Sequence, residues 1–225
     1  MIGWLRLVLA LLILVFSLYR LFRICFEKSR EKKKLDLKVA KTLNYIADEN
    51  DFLLLHDVKA SLLSDTYPTS FGHILFGDRY IYIVETFVGF GALYGNVKDP
   101  YLFLKKDEET NIKVKNPLPP LIEKTKKLEQ ACSCSPDDKR FVSVIAYNNG
   151  LDVPKGIARK EQGTWFLPYK DLEKTIKIAE TDEVSLISHD QTDRIAKQLK
   201  NISDQTKEKR KQRRKDHGQN EERKR

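Results

Sequence analysis

Glu85 is the residue of this sequence whose type and surroundings best suit it to chemistry. It stands in the run YIYIVETF, residues 80–87, whose β-branched and aromatic side chains predict a β-strand. Side chains alternate across a strand, so Glu85 shares a face with Ile81, Ile83 and Phe87. A carboxylate among apolar side chains costs free energy unless it is paired, hydrogen-bonded, metal-bound or protonated. Glu85 is therefore a candidate catalytic acid, and the alternative is an acid exposed where the strand ends.

His73 is the second candidate site residue, and it lies on the preceding predicted strand. The run FGHILF, residues 71–76, is followed by Gly77-Asp78-Arg79, a short loop that allows a tight reversal. The two strands therefore form a predicted β-hairpin. An imidazole can transfer a proton or bind a metal ion near neutral pH. The alternative for a lone histidine on a strand is a packed or hydrogen-bonded side chain.

Residues 1–26 predict a membrane anchor. Arg6 is the only charge before residue 20, and residues 7–18 are apolar except for Ser17. A helix of roughly 20 such residues spans a bilayer. Basic residues crowd the stretch 20–34, so the positive-inside rule places the rest of the chain in the cytoplasm. We expect a single-pass protein of the cell membrane with a basic juxtamembrane linker at 27–34. A cleavable signal peptide, the alternative, lacks a small-residue cleavage site.

Residues 35–203 are long enough for one globular domain with its own core. The run FVSVIAY, residues 141–147, is typical of a buried central strand, and Ser188 is a plausible helix N-cap. Five apolar residues suggest the inner face of a first helix: Leu35, Leu37, Val39, Leu43 and Ile46. The other patterns predict strands at 52–58, 71–76, 80–87, 101–104 and 165–167, and helices at 121–132, at 169–179 and from 189 onward. This succession indicates a mixed α/β fold, in which the strand at 101–104 continues the sheet.

Five short motifs occur in an order that resembles the NERD, or nuclease-related, domain. They are LHDV at 55–58, FGHILF at 71–76, YIYIVET at 80–86, Asn116-Pro117 and FVSVIAY at 141–147. The resemblance covers about Leu35 to Leu172. It implies a PD-(D/E)XK nuclease-like α/β fold with a mixed sheet flanked by helices, to which this chain adds one N-terminal transmembrane helix.

The resemblance also implies a site that this sequence only partly retains. In the family pattern an Asp-His pair opens the first hairpin strand and Glu-x-Lys closes the second. The Asp and Glu hold Mg²⁺ through oxygen ligands, and the Lys orients water or balances charge. Here the pair is Gly72-His73 and the tripeptide is Glu85-Thr86-Phe87. Two of the three core groups are therefore absent, and cleavage by the usual route is not expected.

Other family positions are also changed. Pro120 stands where the resemblance implies a Gln, and Asp36 is only a loose candidate for the acid of the first helix. Cys132 and Cys134 have no matching His or Cys cluster, so a zinc site is not expected. We expect no cofactor and no bound metal, with Mg²⁺ at Glu85 if the chain is active.

The C-terminal segment, residues 204–225, is a basic tail without the apolar side chains needed to bury a core, and we expect it to be largely disordered. The chain carries a formal net charge of +9. A sequence-independent electrostatic attraction would let the tail contact nucleic acid or anionic lipid. The alternative is a solvated tail that keeps the chain soluble. The candidate contact residues are Lys207, Lys209, Arg210, Lys211, Arg213, Arg214 and Lys215.

Three functions from different classes follow. The first is a membrane-anchored, catalytically degenerate nuclease-related domain that faces the cytoplasm and binds nucleic acid or a protein partner. The second is a divergent metal-dependent membrane-bound nuclease that uses Glu85. The third is a structural or assembly protein without a nucleic-acid role, in which Phe87 fills the space of the missing lysine.

Overall fold

The computed structural model describes residues 2–62, 68–96, 98–106, 110–132, 140–154, 160–161 and 163–222. The helices are α1 (Ile2–Asn50), α2 (Leu118–Ala131), α3 (Leu172–Ala179) and α4 (His189–Glu222), with a 3₁₀ turn at Tyr169–Asp171. The strands are β1 (Leu53–Ala60), β2 (Thr69–Phe76), β3 (Ile81–Phe87), β4 (Gly91–Tyr94), β5 (Tyr101–Lys105), β6 (Asn111–Lys115), β7 (Phe141–Tyr147), β8 (Leu151–Asp152), β9 (Lys160–Glu161) and β10 (Thr164–Pro168). The expected mixed α/β architecture is confirmed, with two sheets flanked by helices.

The larger sheet is mixed and has β7 near its centre. Its strand order is β1-β2-β3-β7-β10-β9. The β2–β3 hairpin is antiparallel, as predicted, whereas β7 pairs in parallel with both β3 and β10. All seven residues of β7 are buried. Both faces of this strand are covered, which is why its sequence is an unbroken apolar run.

Two apolar clusters cover the two faces of this sheet. Val84 packs with α1 and α3 in one cluster, and Ile83 packs with α2 and α4 in the other. The alternation predicted for β3 is therefore confirmed. The helix α2 buries Leu121, Thr125 and Leu128 against the sheet. The hydroxyl of Ser143 on β7 donates to that of Thr125 at 2.8 Å, so the polar groups at this contact are satisfied.

The first helix is longer than its predicted apolar face. It runs without interruption from Ile2 through residues 27–34 to Asn50. Leu35, Val39, Leu43 and Ile46 are buried, as predicted, but Leu37 is 59% exposed. Two residues of helix correspond to a rotation of about 200°, which takes Leu37 away from the face of Leu35 and Val39. Among the described residues, none of the helices combines the length and hydropathy expected of a membrane span.

The strand at residues 101–104 does not continue the larger sheet, contrary to the sequence prediction. It forms β5 in a second sheet with the order β6-β5-β4-β8. The chain leaves the first sheet after β3 and turns at Gly91, whose φ is +92°. A Cβ there would lie 2.2 Å from the carbonyl oxygen of Lys105, so this close approach requires glycine.

The last helix begins where its cap residue predicts. The backbone N–H of Gln191 donates to the hydroxyl of Ser188 at 3.2 Å, which satisfies one of the free donors at the start of α4. Ile195 and Leu199 are buried against the sheet. The backbone of α4 continues through residues 204–222, while the side chains from residue 207 onward lie outside the described part of the chain.

Candidate functional site

A polar cleft opens where β2 and β3 separate. Their pairing ends at His73 and Val84. Beyond that point β3 stays alongside β7 as far as Phe87, while β2 follows β1. Gly72 and Glu85, the next residues in register, therefore stand on the two sides of a widening gap. The cleft there has a volume of about 640 Å³.

A local distortion of β1 brings two neighbouring side chains to the same cleft. The ladder pairs His56 with His73 and Val58 with Phe71, and it omits Asp57, whose φ is +49°. On a regular strand His56 and Asp57 would point to opposite faces. Because the backbone is turned at Asp57, both residues line the cleft.

Glu85 is held by a lysine that the sequence pattern did not identify. Lys124 of α2 places its Nζ 2.7 Å from Glu85 Oε1 and donates to the carbonyl oxygen of Ser70 at 3.1 Å. The two charged side chains are 28% and 30% exposed. A pair this accessible contributes about 1 kcal/mol or less to stability. Its main effect is to orient the Glu85 carboxylate and balance its charge.

The lysine beside Glu85 comes from α2 and not from β3, the strand on which the resemblance implies one. Phe87 occupies the position for which the resemblance implies that lysine, and it packs in the apolar cluster with its ring centroid 5.9 Å from that of Phe166. Lys124 lies one turn after the buried Leu121 on the helix that follows Asn116-Pro117. Its spacing from Leu121 places Lys124 beside the buried face of α2, and this spacing is the sequence signal that could have identified Lys124.

Asp36 of α1 also lines the cleft. The Thr86 hydroxyl donates a short hydrogen bond to Asp36 Oδ1. On the same side of α1, Lys32, Lys33 and Leu37 contribute to the cleft wall. The loose sequence candidate Asp36 is therefore brought close to β3, and Leu37 faces the cleft instead of the core.

Two histidines face each other at the end of the β1–β2 pairing. The Nδ1 atoms of His56 and His73 are 2.7 Å apart, so one ring donates and the other accepts. His56 Nε2 is also 3.4 Å from Asn44 Oδ1. His73 is 8% exposed. Burial, and then the neighbouring His56, lower the pKa of His73, while Asp36 and Asp57 oppose this shift.

The acids of the cleft suit Mg²⁺ only in part. Glu85, Asp36 and Asp57 offer hard oxygen ligands. However, Gly72 offers none, and protein donors already engage both Glu85 and Asp36. Within the described ranges, no three His, Cys, Asp or Glu residues are grouped so that they could share a metal ion. Of the predicted site residues, Glu85 and His73 both line this cleft. The seven basic residues of 207–215 lie on α4, and their side chains are outside the described part of the chain.

The lowered pKa of His73 predicts a stability that depends on pH. The unfolded chain, with a histidine pKa near the ordinary 6.5, binds the proton more readily than the folded chain. Stability should therefore fall as the pH drops below 6.5, by up to about 1.4 kcal/mol per pH unit, until His73 is protonated in the fold as well. Urea denaturation of the full chain in detergent, from about pH 7.5 to pH 5.5, measures this slope.

The variant His73→Gln should have a shallower slope over this range. The matched control is His189→Gln at the exposed first turn of α4, which should keep the slope of the unmodified chain. Equal slopes for His73→Gln and the unmodified chain would contradict the assignment.

Comparisons were made with protein-family models, with curated proteins and with solved structures. The chain matches none of them.

Proposed function

We propose that this chain is a membrane-anchored, NERD-like domain that faces the cytoplasm and binds nucleic acid without cleaving it by the usual metal-dependent route. The observation that carries this proposal is the ion pair of Lys124 with Glu85 in a cleft whose rim bears Lys32 and Lys33. The NERD-like assignment itself rests on the motifs quoted above.

The cleft lining carries three lysines, Lys32, Lys33 and Lys124, and three acids, Asp36, Asp57 and Glu85, so its formal charges cancel and an anionic ligand would be attracted by the exposed rim lysines. Lys124 balances Glu85, and the Thr86 hydroxyl hydrogen-bonds Asp36. Lys32 and Lys33 are exposed at the rim. Lysines attract the phosphates of nucleic acid through a term that does not depend on base sequence. The basic residues of 207–215 would add to this attraction from α4.

Two substitutions argue against the usual cleavage chemistry. Gly72 has no side chain with which to bind a cation, and the Phe87 ring is packed against Phe166. A side chain at position 72 would also be crowded, because its Cβ would lie 3.1 Å from the carbonyl oxygen of Val84. On this proposal, the cleft would hold a nucleic-acid strand without the side chains needed to cleave it.

The proposed anchor would hold the cleft close to a membrane surface. Residues 1–26 carry the apolar run, and α1 continues from there into Lys32 without a break. Six residues of helix span about 9 Å. A ligand in the cleft would therefore lie near the cytoplasmic lipid head groups.

Nucleic-acid binding should depend on salt and on the rim lysines. We expect the full chain in detergent micelles to bind a labelled single-stranded oligonucleotide, measured by fluorescence anisotropy. The slope of log K against log salt should decrease in magnitude by about 1.4 in the double variant Lys32→Ala and Lys33→Ala, since each phosphate contact contributes roughly 0.7.

The matched control replaces two exposed lysines that do not line the cleft, Lys170→Ala and Lys174→Ala, and should keep the original slope. Absence of binding at low salt, or the same slope in the rim variant as in the unmodified chain, would refute the nucleic-acid proposal. Anionic vesicles used as competitors test whether lipid head groups are the preferred source of phosphate.

A divergent metal-dependent phosphodiesterase is the second candidate, and Lys124 is the observation that favours it. An amine does stand beside Glu85, although Phe87 has replaced the lysine of the family pattern. Glu85 and Asp57 would then be the residues that hold Mg²⁺, which polarises a phosphodiester when bound. Lys124 would orient a phosphate or transfer a proton.

Cleavage assays separate the two candidates. Our first proposal predicts that the full chain with Mg²⁺ or Mn²⁺ degrades an oligonucleotide no faster than its Glu85→Gln variant. The second predicts cleavage that Glu85→Gln abolishes and that Lys124→Met lowers by roughly 100-fold. Cleavage that depends on Glu85 would therefore replace the first proposal with the second. The control Lys174→Ala, a substitution outside the cleft, should leave either result unchanged.

The membrane topology predicts which part of the chain a protease can reach. In intact cells an externally added protease should leave residues 35–222 uncut, and it should degrade them after the membrane is permeabilised. Deletion of residues 1–26 should move the chain from the membrane fraction to the soluble fraction. Digestion in intact cells would contradict the cytoplasmic orientation, and membrane retention of the deletion variant would contradict the anchor.

A further inference from the structure

The outer surface of the second sheet carries exposed aromatic rings among lysines. Tyr94, Tyr101 and Phe103 are 48%, 46% and 45% exposed. Leu93, next to Tyr94 on β4, and Leu102, between Tyr101 and Phe103 on β5, are buried in the core cluster. Alternation along β4 and β5 therefore places all three rings on the side facing away from the core. We call this surface the aromatic face; it consists of Tyr94, Tyr101, Phe103, Lys105, Lys113 and Lys115.

The strand register arranges the rings and lysines in rows. Tyr94 on β4 is directly opposite Phe103 on β5, and Phe103 is directly opposite Lys113 on β6. In the next row Tyr101 is opposite Lys115. Residues directly opposite one another in an antiparallel sheet share a face. The ammonium of Lys113 also lies 4.1 Å from the centre of the Tyr101 ring, so it covers part of that ring diagonally.

The charge of this surface is predominantly positive. Lys105, Lys113 and Lys115 project from β5 and β6. Asp152 supplies a carboxylate on β8, the edge strand at the opposite end of the sheet from β6, where it pairs with Ala92 of β4. Exposed rings in the midst of lysines have no role in the core, because Leu102 and Leu104 already fill the inner face. Large exposed apolar groups gathered in one place mark an interaction surface.

We propose that the aromatic face binds single-stranded nucleic acid, with bases stacked on Tyr94, Tyr101 and Phe103 and phosphates held by the lysines. The backbones of neighbouring strands are about 4.8 Å apart, and two residues along β6 separate the Cα atoms of Lys113 and Lys115 by about 6.6 Å. An extended single strand can place successive bases and phosphates over such a sheet. A duplex cannot, because its bases are already stacked on one another.

This inference rests on the proposed function for its ligand class, but a different surface carries it. The cleft is lined by residues of α1, β1, β2, β3 and α2, and it shares no residue with the aromatic face. DNA and RNA both supply the bases and phosphates that the face would contact. Since stacking does not require a 2′-hydroxyl, we expect both to bind.

The test uses the full chain in detergent micelles and labelled oligothymidylate and oligouridylate of about 16 nucleotides, long enough to cover one such sheet. Fluorescence anisotropy should show binding that weakens by roughly 5- to 150-fold for Phe103→Ala, the loss of one stacked base. Tyr94→Ala should act in the same way. A duplex of the same length should be unaffected by these substitutions.

Two further variants of Phe103 distinguish stacking from general apolar contact. Phe103→Trp should preserve or strengthen binding, because indole presents a larger π-face. Phe103→Leu keeps much of the apolar area without that face and should bind as weakly as Phe103→Ala. Equal binding by Phe103→Leu and the unmodified chain would overturn the stacking assignment.

The matched control is Tyr45→Ala on α1. Tyr45 is also an exposed tyrosine, 51% accessible, with the ammonium of Lys177 5.7 Å from its ring centre. It lies on another element, so its loss should leave oligonucleotide binding unchanged. Circular dichroism confirms that each variant keeps its secondary structure.

The outcomes separate this inference from the proposed function. If the aromatic variants bind normally while the Lys32 and Lys33 double variant loses binding, the aromatic face is overturned and the cleft proposal stands. If only the aromatic variants lose oligonucleotide binding, the aromatic face is supported and the proposal that the cleft binds nucleic acid is contradicted. Light scattering adds one further arm: if Phe103→Ala dissociates an oligomer without changing oligonucleotide binding, the face is an interface between copies and the inference is overturned.

Discussion

The candidate site depends on the fact that β3 is paired with both of its neighbours over only part of its length. It stays paired with β7 as far as Phe87. In contrast, the start of β2, from Thr69 to Phe71, is paired with β1 and not with β3. The turned backbone at Asp57 and the absence of a side chain at Gly72 accompany this separation. Groups from both faces of the sheet, such as Glu85 and Thr86, can therefore reach one cleft.

Within that cleft, long-range pairs balance the charges. Lys124 approaches Glu85 from α2, and Asp36 approaches Thr86 from α1, so helices on opposite sides of the sheet each place a side chain at the end of β3. The ion pair contributes little free energy because it is partly exposed. Its consequence is chemical: the Glu85 carboxylate stays beside a positive charge. Glu85 thus has an amine beside it that is supplied by a helix and not by its own strand.

The second sheet buries one of its sides in the core and leaves the other side exposed. Leu93, Leu102 and Leu104 complete the core on one side, and the aromatic face is left on the other. The close approach of Gly91 to Lys105 occurs where the chain enters this sheet. The domain therefore presents two separate polar surfaces, a cleft between strands and an open sheet face.

The sequence by itself determined the local elements, because periodicity and caps act over a few residues. It predicted the β2–β3 hairpin, the alternation of β3, the buried strand β7 and the Ser188 cap, all of which the structure confirms. Glu85 and His73, the two candidate site residues of the hairpin, both line the cleft. The sequence placed Leu37 in the core incorrectly, since only the packing of α1 fixes which side of a long apolar helix is buried.

Tertiary structure alone decided what surrounds those residues. Lys124 and Glu85 are 39 residues apart in sequence, and Asp36 and Thr86 are 50 apart. The separation of β5 into a second sheet likewise depends on how the chain turns after β3. Contacts between distant elements follow from how whole helices and strands pack, and no local pattern of residues encodes them.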